Sequence, residues 1–313
     1  APFFLNFDHA EIEEGPMGHM CENRFLRRAL LEAIKSEAQV TTITDTVSDH
    51  EARASGVTVT LGSGKTLDAK LLIGSDGRGS LTAKRAGITR TGWTYNQTAL
   101  VAAVAHEYPH DGVAHQFFMP PGPLAILPLP GNVSSIVWSE DAQTAADFEA
   151  LDDAEFIEVL KPRFGDFLGE ISLRGDRFSY PLSLSIANSF VADRVALVGD
   201  AAHGIHPIAG QGLNAGMRDV AALTEVLKEA RQRGEDIANP SVLARYQEWR
   251  RFDTTTLALT TDLTNRLFSN DNPALRCLRD LGMGAINAVP ALRRTMIREA
   301  AGLTGDIPEL MRG

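Results

Sequence analysis

Apolar residues in the first part of the chain follow a helical period and then a strand period. Residues 22–37 form a predicted helix, because their apolar positions recur at three- and four-residue spacing. These positions are Phe25, Leu26, Ala29, Leu30, Ala33 and Ile34. Strand signals rich in Val, Ile and Thr follow at Val40–Val47 and Val57–Leu61, and Ala69–Gly74 is an apolar run suited to a buried strand. Gly64-Lys65-Thr66 lacks the spacing of a nucleotide-binding loop, so it is interpreted as a β-turn.

The middle of the chain has a different sequence pattern, in which short extended segments alternate with turns that contain Pro, Gly and Asn. These segments predict an antiparallel sheet. They are Leu100–Ala105, Ala114–Met119, Leu124–Leu129 and Ser134–Ser139. One acidic amphipathic stretch, Ala145–Leu160, predicts a single helix that ends before Pro162.

The last part of the chain returns to a buried strand followed by helices. Val195–Val198 is a continuous apolar run, and a helix is predicted from about Gln211 to Arg233. The remainder reads as helical with a break at Asn272-Pro273. The predicted fold is therefore an α+β composite: an α/β part, an inserted antiparallel β-sheet layer and a helical C-terminal tail.

Composition narrows the class of protein. The 313 residues are 44% hydrophobic and 22% charged, with a net charge of −10, which excludes a disordered chain and disfavours nucleic acid as a partner. Residues 240–313 carry 10 Arg and no Lys against 8 acidic residues, so only this tail favours an anionic surface. Two distant cysteines, Cys21 and Cys277, suit a reducing cytoplasm. We expect any membrane contact to be peripheral.

The most informative segment runs from Arg194 to Asp219 and reads RVALVGDAAHGIHPIAGQGLNAGMRD. A buried strand ends at Asp200, which places a carboxylate at the edge where open α/β sheets bind ligands and where it can accept hydrogen bonds from sugar-alcohol hydroxyls. Gly210 and Gly212 allow the backbone to approach a flat ligand, and the following helix directs its N–H groups and positive dipole end at it. Such a helix end suits a ring that becomes anionic on reduction, although an ordinary strand–loop–helix crossover is the alternative.

Two further features are weaker. Asp76 follows the strand ending at Gly74 and precedes a helix-compatible segment, but a tight turn with Ser80 as its N-cap explains most of that pattern. His203 and His206 are three residues apart, a spacing compatible with a metal, but the loop offers no third ligand nearby. We do not expect a metal site.

Taken together, these motifs resemble the paired signatures of flavin-dependent aromatic hydroxylases built like p-hydroxybenzoate hydroxylase. Asp76-Gly77-x-x-Ser80 is similar to the motif that serves FAD and the reduced pyridine nucleotide, and Gly199-Asp200 to the motif that holds the ribityl chain. The run from His206 to Asp219 resembles the ubiquinone-biosynthesis subfamily, which hydroxylates polyprenylated phenols. Other matching blocks are His19–Asn23, Pro109–Asp111, Gln116-Phe117, Leu127–Leu129 and Ser135–Ser139.

The resemblance implies specific roles. Asp200 binds the ribityl hydroxyls, and the backbone at Gly212, Leu213 and Asn214 faces the pyrimidine edge of the flavin. Pro207 borders the place where oxygen adds. The resemblance also places Asn23 near the FAD chain, Asp76 in the cofactor motif and Gly210 in the flavin loop. The implied enzyme is a monooxygenase that uses FAD, NAD(P)H and O2 through a flavin hydroperoxide.

The chain departs from the family pattern in two places. Position 83 is Ala where an Arg is usual, with Lys84 and Arg85 beside it, which puts the contact to the reductant in question. The family opens with a βαβ unit carrying Gly-x-Gly-x-x-Gly for the FAD pyrophosphate, and this chain does not contain that pattern. We therefore expect a fragment that binds FAD poorly and is inactive by itself.

These observations lead to a division into domains. Residues 1–20 and 91–187 are predicted as the substrate-binding β-sheet domain, residues 21–90 and 188–235 as the remainder of the FAD-binding domain, and residues 236–313 as a C-terminal helical region. In the sheet domain four residues are candidates to line the substrate site, with plain core as the alternative: Phe117, Phe118, Leu127 and Trp138.

The substrate and the partners follow from the resemblance. The expected substrate is aromatic, a polyprenylated phenol, and membership of a ubiquinone-biosynthesis complex and contact of the Arg-containing tail with the inner face of the cell membrane stay open. Two alternatives stay open as well: a non-catalytic scaffold subunit with a degenerate flavin site, and a hydroxylase of a soluble aromatic.

Overall fold

A computed structural model describes residues 5–12, 15–269 and 288–312, together with residues 282, 284 and 286. The helices are α1 (Asn23–Ser36), α2 (Leu81–Arg85), α3 (Ala142–Glu149), α4 (Asp153–Phe164), α5 (Gly212–Gln232), α6 (Pro240–Phe268) and α7 (Pro290–Ala300). The strands are β1 (Val47–Arg53), β2 (Gly56–Leu61), β3 (Thr66–Ala69), β4 (Leu72–Gly74), β5 (Arg90–His106), β6 (His115–Phe118), β7 (Pro123–Leu129), β8 (Val133–Asp141), β9 (Ile171–Leu173), β10 (Phe178–Ala187), β11 (Val191–Ala192), β12 (Val195–Leu197) and β13 (His203–Gly204).

The chain divides into two compact units. The first unit comprises Ala1–Thr41, Thr94–Leu182 and Leu263–Leu303, and the second comprises Thr42–Trp93, Ser183–Asp262 and Thr304–Gly313. The predicted C-terminal region 236–313 is shared between the two units, and residues 21–41 belong to the first. The assignment of one part to substrate and another to FAD stays a prediction.

The predicted antiparallel layer is confirmed. The large sheet has the strand order β13-β10-β5-β8-β7-β6, with β9 beside β5. Leu124, Trp138 and Leu100 lie directly opposite one another in β7, β8 and β5, so they share one face. That face packs with α3 and α4 around a fully buried Trp138.

The predicted single helix over Ala145–Leu160 is wrong, because the segment forms two helices, α3 and α4. The second helix starts anew at Asp152, whose side chain accepts a hydrogen bond from the N–H of Glu155 while the Glu155 side chain caps Asp152 in return. Pro162 lies inside α4 rather than after it, and the helix ends at Gly165, where φ is +84°. Pro162 has no N–H to donate to the Glu158 carbonyl, so the helix continues past it with one backbone hydrogen bond fewer.

The predicted strand at Val40–Val47 is also misplaced. The strand is β1, which starts at Val47 and pairs with β2 so that Arg53 lies opposite Gly56. This tight hairpin sets the register, and pairing therefore selects the polar stretch after Val47 instead of the apolar one before it. The predicted strand at Ala69–Gly74 is shorter in the structure, where β4 covers Leu72–Gly74.

Helix α1 is confirmed, although its apolar positions are not buried in this chain. Phe25 is 52% exposed and Leu30 is 47% exposed. The predicted Gly64 turn is confirmed as the β2–β3 connection, in which the Gly64 N–H donates to the Leu61 carbonyl.

The second unit positions the motif residues. Buried β12 runs parallel to β4, with Val195 opposite Leu72, and α5 and α6 pack on it around Leu197, Leu223 and Tyr246. Because parallel strands end at the same edge, the loops that follow β4 and β12 emerge side by side. The predicted break at Asn272-Pro273 lies outside the described residues. None of the helices in the described residues combines the length and apolar character that crossing a membrane demands.

Candidate functional site: the turn after β12 and the start of α5

The central feature of the site is the turn that carries Asp200 directly after β12. Gly199 adopts a left-handed φ of +59° and opens the short 3-10 turn Gly199–Ala201. The Asp200 side chain is 43% exposed, and its Oδ2 accepts a hydrogen bond from Nε of Arg78 at 3.0 Å. Within the described part of the chain its Oδ1 receives no hydrogen bond. One carboxylate oxygen therefore stays available to a ligand.

The loop after β4 reaches the same turn through Arg78. Its Nη1 donates to the Ser183 carbonyl at 3.0 Å and its Nη2 to the Ile205 carbonyl at 2.9 Å. Arg90 holds the turn from its backbone, because its Nη1 donates to the Ala201 carbonyl and its Nη2 to the Asp200 carbonyl. The two predicted motif clusters thus meet in space through Arg78, and neither Arg78 nor Arg90 was assigned a role from the sequence.

The Asp76 carboxylate accepts hydrogen bonds from its own loop and from the start of α2 in this structure. Its Oδ1 accepts from the Ser80 hydroxyl at 2.6 Å and its Oδ2 from the Thr82 N–H at 2.9 Å. Desolvation raises the pKa of Asp76, but the hydrogen bonds from Ser80 and Thr82 outweigh it and hold the pKa below its usual value. The predicted Ser80 N-cap is confirmed, since Ser80 accepts from the Ala83 N–H. A cofactor contact of Asp76 stays a prediction.

The segment Pro207–Gly212 presents the beginning of α5. Pro207 opens a 3-10 turn, and Gly210 ends it with a left-handed φ of +63°. Gln211, the N-cap of α5, makes no side-chain cap hydrogen bond. The N–H groups of the first turn of an α helix, here Gly212, Leu213 and Asn214, have no acceptor within the helix and carry its positive dipole end. A Cβ at Gly210 or Gly212 would meet no atom within 4 Å, so this surface is open.

Helix α5 touches the Asp200 turn directly. A Cβ at Gly216 would lie 3.2 Å from Cα of Gly199, so the glycine permits the close approach of helix and turn. One turn further along α5, Asp219 accepts the Gly199 N–H at 2.9 Å through its Oδ2. The orientation of the turn is therefore fixed by the helix.

Asp219 is the centre of a buried charged cluster that the sequence reasoning missed. Its Oδ2 also accepts from Nε2 of His203, and its Oδ1 accepts from Nε of Arg250 at 2.9 Å. Arg250 in turn donates to Asp253. Asp219 and His203 are fully buried and Arg250 is 1% exposed. A carboxylate so deeply buried is tolerated because it is both paired and hydrogen-bonded.

His206 caps the 3-10 turn before α5. Its side chain is 1% exposed, and its Nδ1 accepts the Ile208 N–H at 3.1 Å. Burial lowers the pKa of His206 to about 4, with the charge of Arg78 acting in the same direction and Asp262 opposing it. The imidazole is consequently neutral at pH 7.

The remaining predicted residues have different surroundings. Asn23 is the exposed first residue of α1 and belongs to the first unit, so its role near FAD stays a prediction. Among the candidate lining residues, Trp138 is plain core and packs on Phe148 and Phe156. Leu127 faces the other side of the sheet, and Phe118 contacts Phe268 with 4.1 Å between ring centroids.

Comparison with protein-family models identifies the family of the chain. A family model described as a FAD binding domain matches residues 7–258. The chain belongs to this family.

Relatives refine the membership. The chain is 44% identical to ubiquinone hydroxylase UbiL of Rhodospirillum rubrum, covering 100% of the chain and 74% of the relative. It is 36% identical to 3-demethoxyubiquinol 3-hydroxylase of Escherichia coli, covering 95% of the chain and 76% of the relative. The solved p-nitrophenol 4-monooxygenase PnpA of Pseudomonas putida matches in fold, with a TM-score of 0.74, 22% identity, and coverage of 90% of this chain and 72% of that chain.

These findings confirm the predicted family, the fold class and the FAD cofactor. The chain is a FAD-dependent monooxygenase of the ubiquinone-biosynthesis hydroxylase group. In this group NAD(P)H is the typical reductant and a phenolic ring is the typical substrate. The site fits part of FAD, because a carboxylate with one unused oxygen suits the ribityl hydroxyls and an open helix N-terminus suits the electron-rich ring edge.

Proposed function

We propose that this protein hydroxylates the ring of a polyprenylated phenol in ubiquinone biosynthesis. In the balanced reaction a ring C–H becomes C–OH, one atom of O2 enters the product, and the other leaves as water while NAD(P)H is oxidised. The observation that carries the proposal is the half-exposed Asp200 carboxylate on a turn whose Gly199 N–H is held by Asp219 of α5, in a chain 44% identical to a ubiquinone hydroxylase.

The residues of the second unit would bind and orient the cofactor. FAD, when bound, supplies the chemistry that activates O2 with electrons from NAD(P)H. Asp200 would accept hydrogen bonds from the ribityl hydroxyls, and the N–H groups of Gly212, Leu213 and Asn214 would donate to the pyrimidine edge. The dipole of α5 favours the negative charge that this edge acquires on reduction. Pro207 and Gly210 shape the adjoining loop, in which the Gly210 N–H donates to the Pro207 carbonyl at 2.8 Å.

The first unit would supply an apolar surface for the substrate. The sheet face opposite α3 and α4 carries small and apolar side chains that are only half-buried. They include Val101, Ala103, Ala125, Leu127 and Val137. Such a surface suits an aromatic ring with a prenyl chain, because contact removes apolar area from water.

We further propose a cytoplasmic enzyme that contacts the inner face of the membrane at its periphery and works within a ubiquinone-biosynthesis complex. A polyprenylated phenol partitions into lipid, so the enzyme must receive it from a membrane or from another protein. The excess of Arg over acidic residues in 240–313 supports attraction to anionic lipid. Flotation of the full-length protein with vesicles containing anionic lipid tests this, and recovery in the lipid-free fraction would contradict it.

The decisive experiment uses the full-length protein supplied with NAD(P)H and isotopically labelled O2. We expect bound yellow flavin and one labelled oxygen atom in the ring of a prenylated phenol. Asp200→Asn should lose flavin, whereas Asp193→Asn, an exposed carboxylate before the same strand, should keep it. A colourless full-length protein would favour the non-catalytic scaffold, and equal turnover of an unprenylated phenol would favour a soluble aromatic substrate.

A further inference from the structure

Three independent contacts already fix the backbone of the Asp200 turn. The Gly199 N–H is held by Asp219, and the carbonyls of Asp200 and Ala201 are held by Arg90. The freedom that is left to Asp200 is rotation of its side chain. Any group that fixes this rotation determines where the unused oxygen points.

Arg78 is that group. Its guanidinium is anchored on two backbone carbonyls, those of Ser183 and Ile205, before its Nε reaches Asp200 at 3.0 Å. The stem of the side chain lies against Gly204, where an added Cβ would be 3.0 Å from Cγ of Arg78. Because both Nη atoms of the planar guanidinium are held by carbonyls, its Nε–H is offered to Asp200 in one fixed direction.

The hydrogen bond from Arg78 distinguishes the two carboxylate oxygens of Asp200. Oδ2 is bound to Arg78, and Oδ1 receives no hydrogen bond from the described residues. We propose that Arg78 is a positioning residue for the cofactor: it locks Asp200 in the rotamer that offers Oδ1 to the ribityl hydroxyls. The inference rests on the proposed function, because it takes Asp200 to bind the flavin.

The size of the effect follows from the cost of ordering one side chain. Immobilising a side chain on binding costs about 0.5–1.5 kcal/mol, which corresponds to about a two- to tenfold change in Kd. We therefore expect Arg78→Met to weaken FAD binding by about that factor. Competition between Arg78 and FAD for Asp200 would make the variant bind FAD more tightly, which would overturn the proposal.

The test is titration of the full-length apoprotein with FAD, followed by quenching of flavin fluorescence and by visible circular dichroism of the bound flavin. Arg78→Lys keeps the charge but cannot hold both carbonyls and Asp200, so it should bind FAD as weakly as Arg78→Met. Full recovery with Lys would show that charge alone matters and would overturn the positioning role. Arg53→Met removes an exposed arginine of the same unit whose side chain pairs with Glu51 and should leave Kd unchanged.

A double-mutant cycle separates this inference from the proposed function. If Arg78 acts through Asp200, the pair Asp200→Asn with Arg78→Met binds FAD no more weakly than Asp200→Asn alone. Additive losses would mean that Arg78 acts independently of Asp200 and would overturn the inference. An unchanged Kd for Asp200→Asn removes the flavin-binding role of Asp200 and the inference with it, whereas a weakened Asp200→Asn beside an unchanged Arg78→Met removes the inference alone.

A second perturbation guards against misfolding of the Arg78 variants. Gly204→Ala keeps the guanidinium but places a Cβ against the stem of Arg78, so it should also weaken FAD binding and alter the visible circular dichroism. Far-UV circular dichroism and melting temperature of the apoproteins report folding. Native FAD affinity in a folded Gly204→Ala protein would contradict the claim that the position of Arg78 matters.

Discussion

Lowering the pH should destabilise this protein through His206 in particular. The imidazole is 1% exposed, and its Nδ1 must keep a lone pair to accept the Ile208 N–H. A proton on Nδ1 would remove that hydrogen bond and create a buried cation near Arg78. The folded state therefore resists protonation that the unfolded chain accepts freely.

The magnitude follows from the two pKa values. The pKa of His206 falls from 6.5 to about 4 on folding, and at about 1.36 kcal/mol per unit the neutral imidazole contributes about 3 kcal/mol. Because the folded pKa is the lower one, the unfolded state binds the proton first as the pH falls. The contribution is complete above pH ~7 and is lost as the pH falls from about 6.5 to about 4; roughly 2 kcal/mol goes between pH 7 and pH 5.

Urea unfolding at a series of pH values measures this loss. His206→Asn keeps an oxygen near the position of Nδ1 to accept the Ile208 N–H, but it cannot titrate. The difference in unfolding free energy between the native protein and this variant should shrink by about 2 kcal/mol from pH 7 to pH 5. An exposed histidine, His19, provides the control as His19→Gln. A difference that does not vary with pH would refute the reasoning.

Three further substitutions, with one control, test a buried ion pair, a close backbone contact and a helix cap. Asp219→Asn should cost about 3–5 kcal/mol in urea unfolding, because it breaks the buried Asp219–Arg250 ion pair and leaves the partly exposed Asp253 as the carboxylate paired with the guanidinium; a loss below about 1 kcal/mol would contradict this reasoning. Gly92→Ala should lower the melting temperature strongly, since its Cβ would lie 2.0 Å from the Leu184 carbonyl oxygen. Gly79→Ala has open space and should leave the melting temperature unchanged, so equal shifts would contradict the steric argument. Asp152→Ala should cost about 1 kcal/mol by removing the α4 cap, and an unchanged unfolding midpoint would show that the cap is dispensable.

Local sequence patterns were sufficient to predict those elements whose tertiary contacts favour the same secondary structure as their own sequence. The extended segments of the large sheet and α5 were predicted from periodicity, and Asp200 was singled out because a carboxylate ends a buried strand. The division into α3 and α4 also had a local signal, the capping box from Asp152 to Glu155, which the apolar period obscured. The misplaced strand at Val40 had no such signal, because the hairpin partner decides the register.

The contacts that organise the site are long-range, and local reasoning does not reach them. Arg78 is 122 positions from Asp200, and nothing in the loop after β4 identifies its partner. Asp219 was more accessible to sequence reasoning, since it falls on the same helical face as the buried Ala215 and Ala222. A carboxylate on an apolar face needs a buried partner, but the identity of that partner, Arg250, depends on how α6 packs.

The pairing of Asp219 with Arg250 ties α6 to the turn that carries Asp200. The sequence motifs end at Asp219, but the counter-ion that keeps this carboxylate tolerable in the interior comes from 31 positions further along the chain. A segment that ends at Asp219 would leave this carboxylate buried beside the Gly199 N–H without the guanidinium of Arg250. A segment excised to carry the Asp200 turn would therefore have to extend at least through Asp253, which also pairs with Arg250.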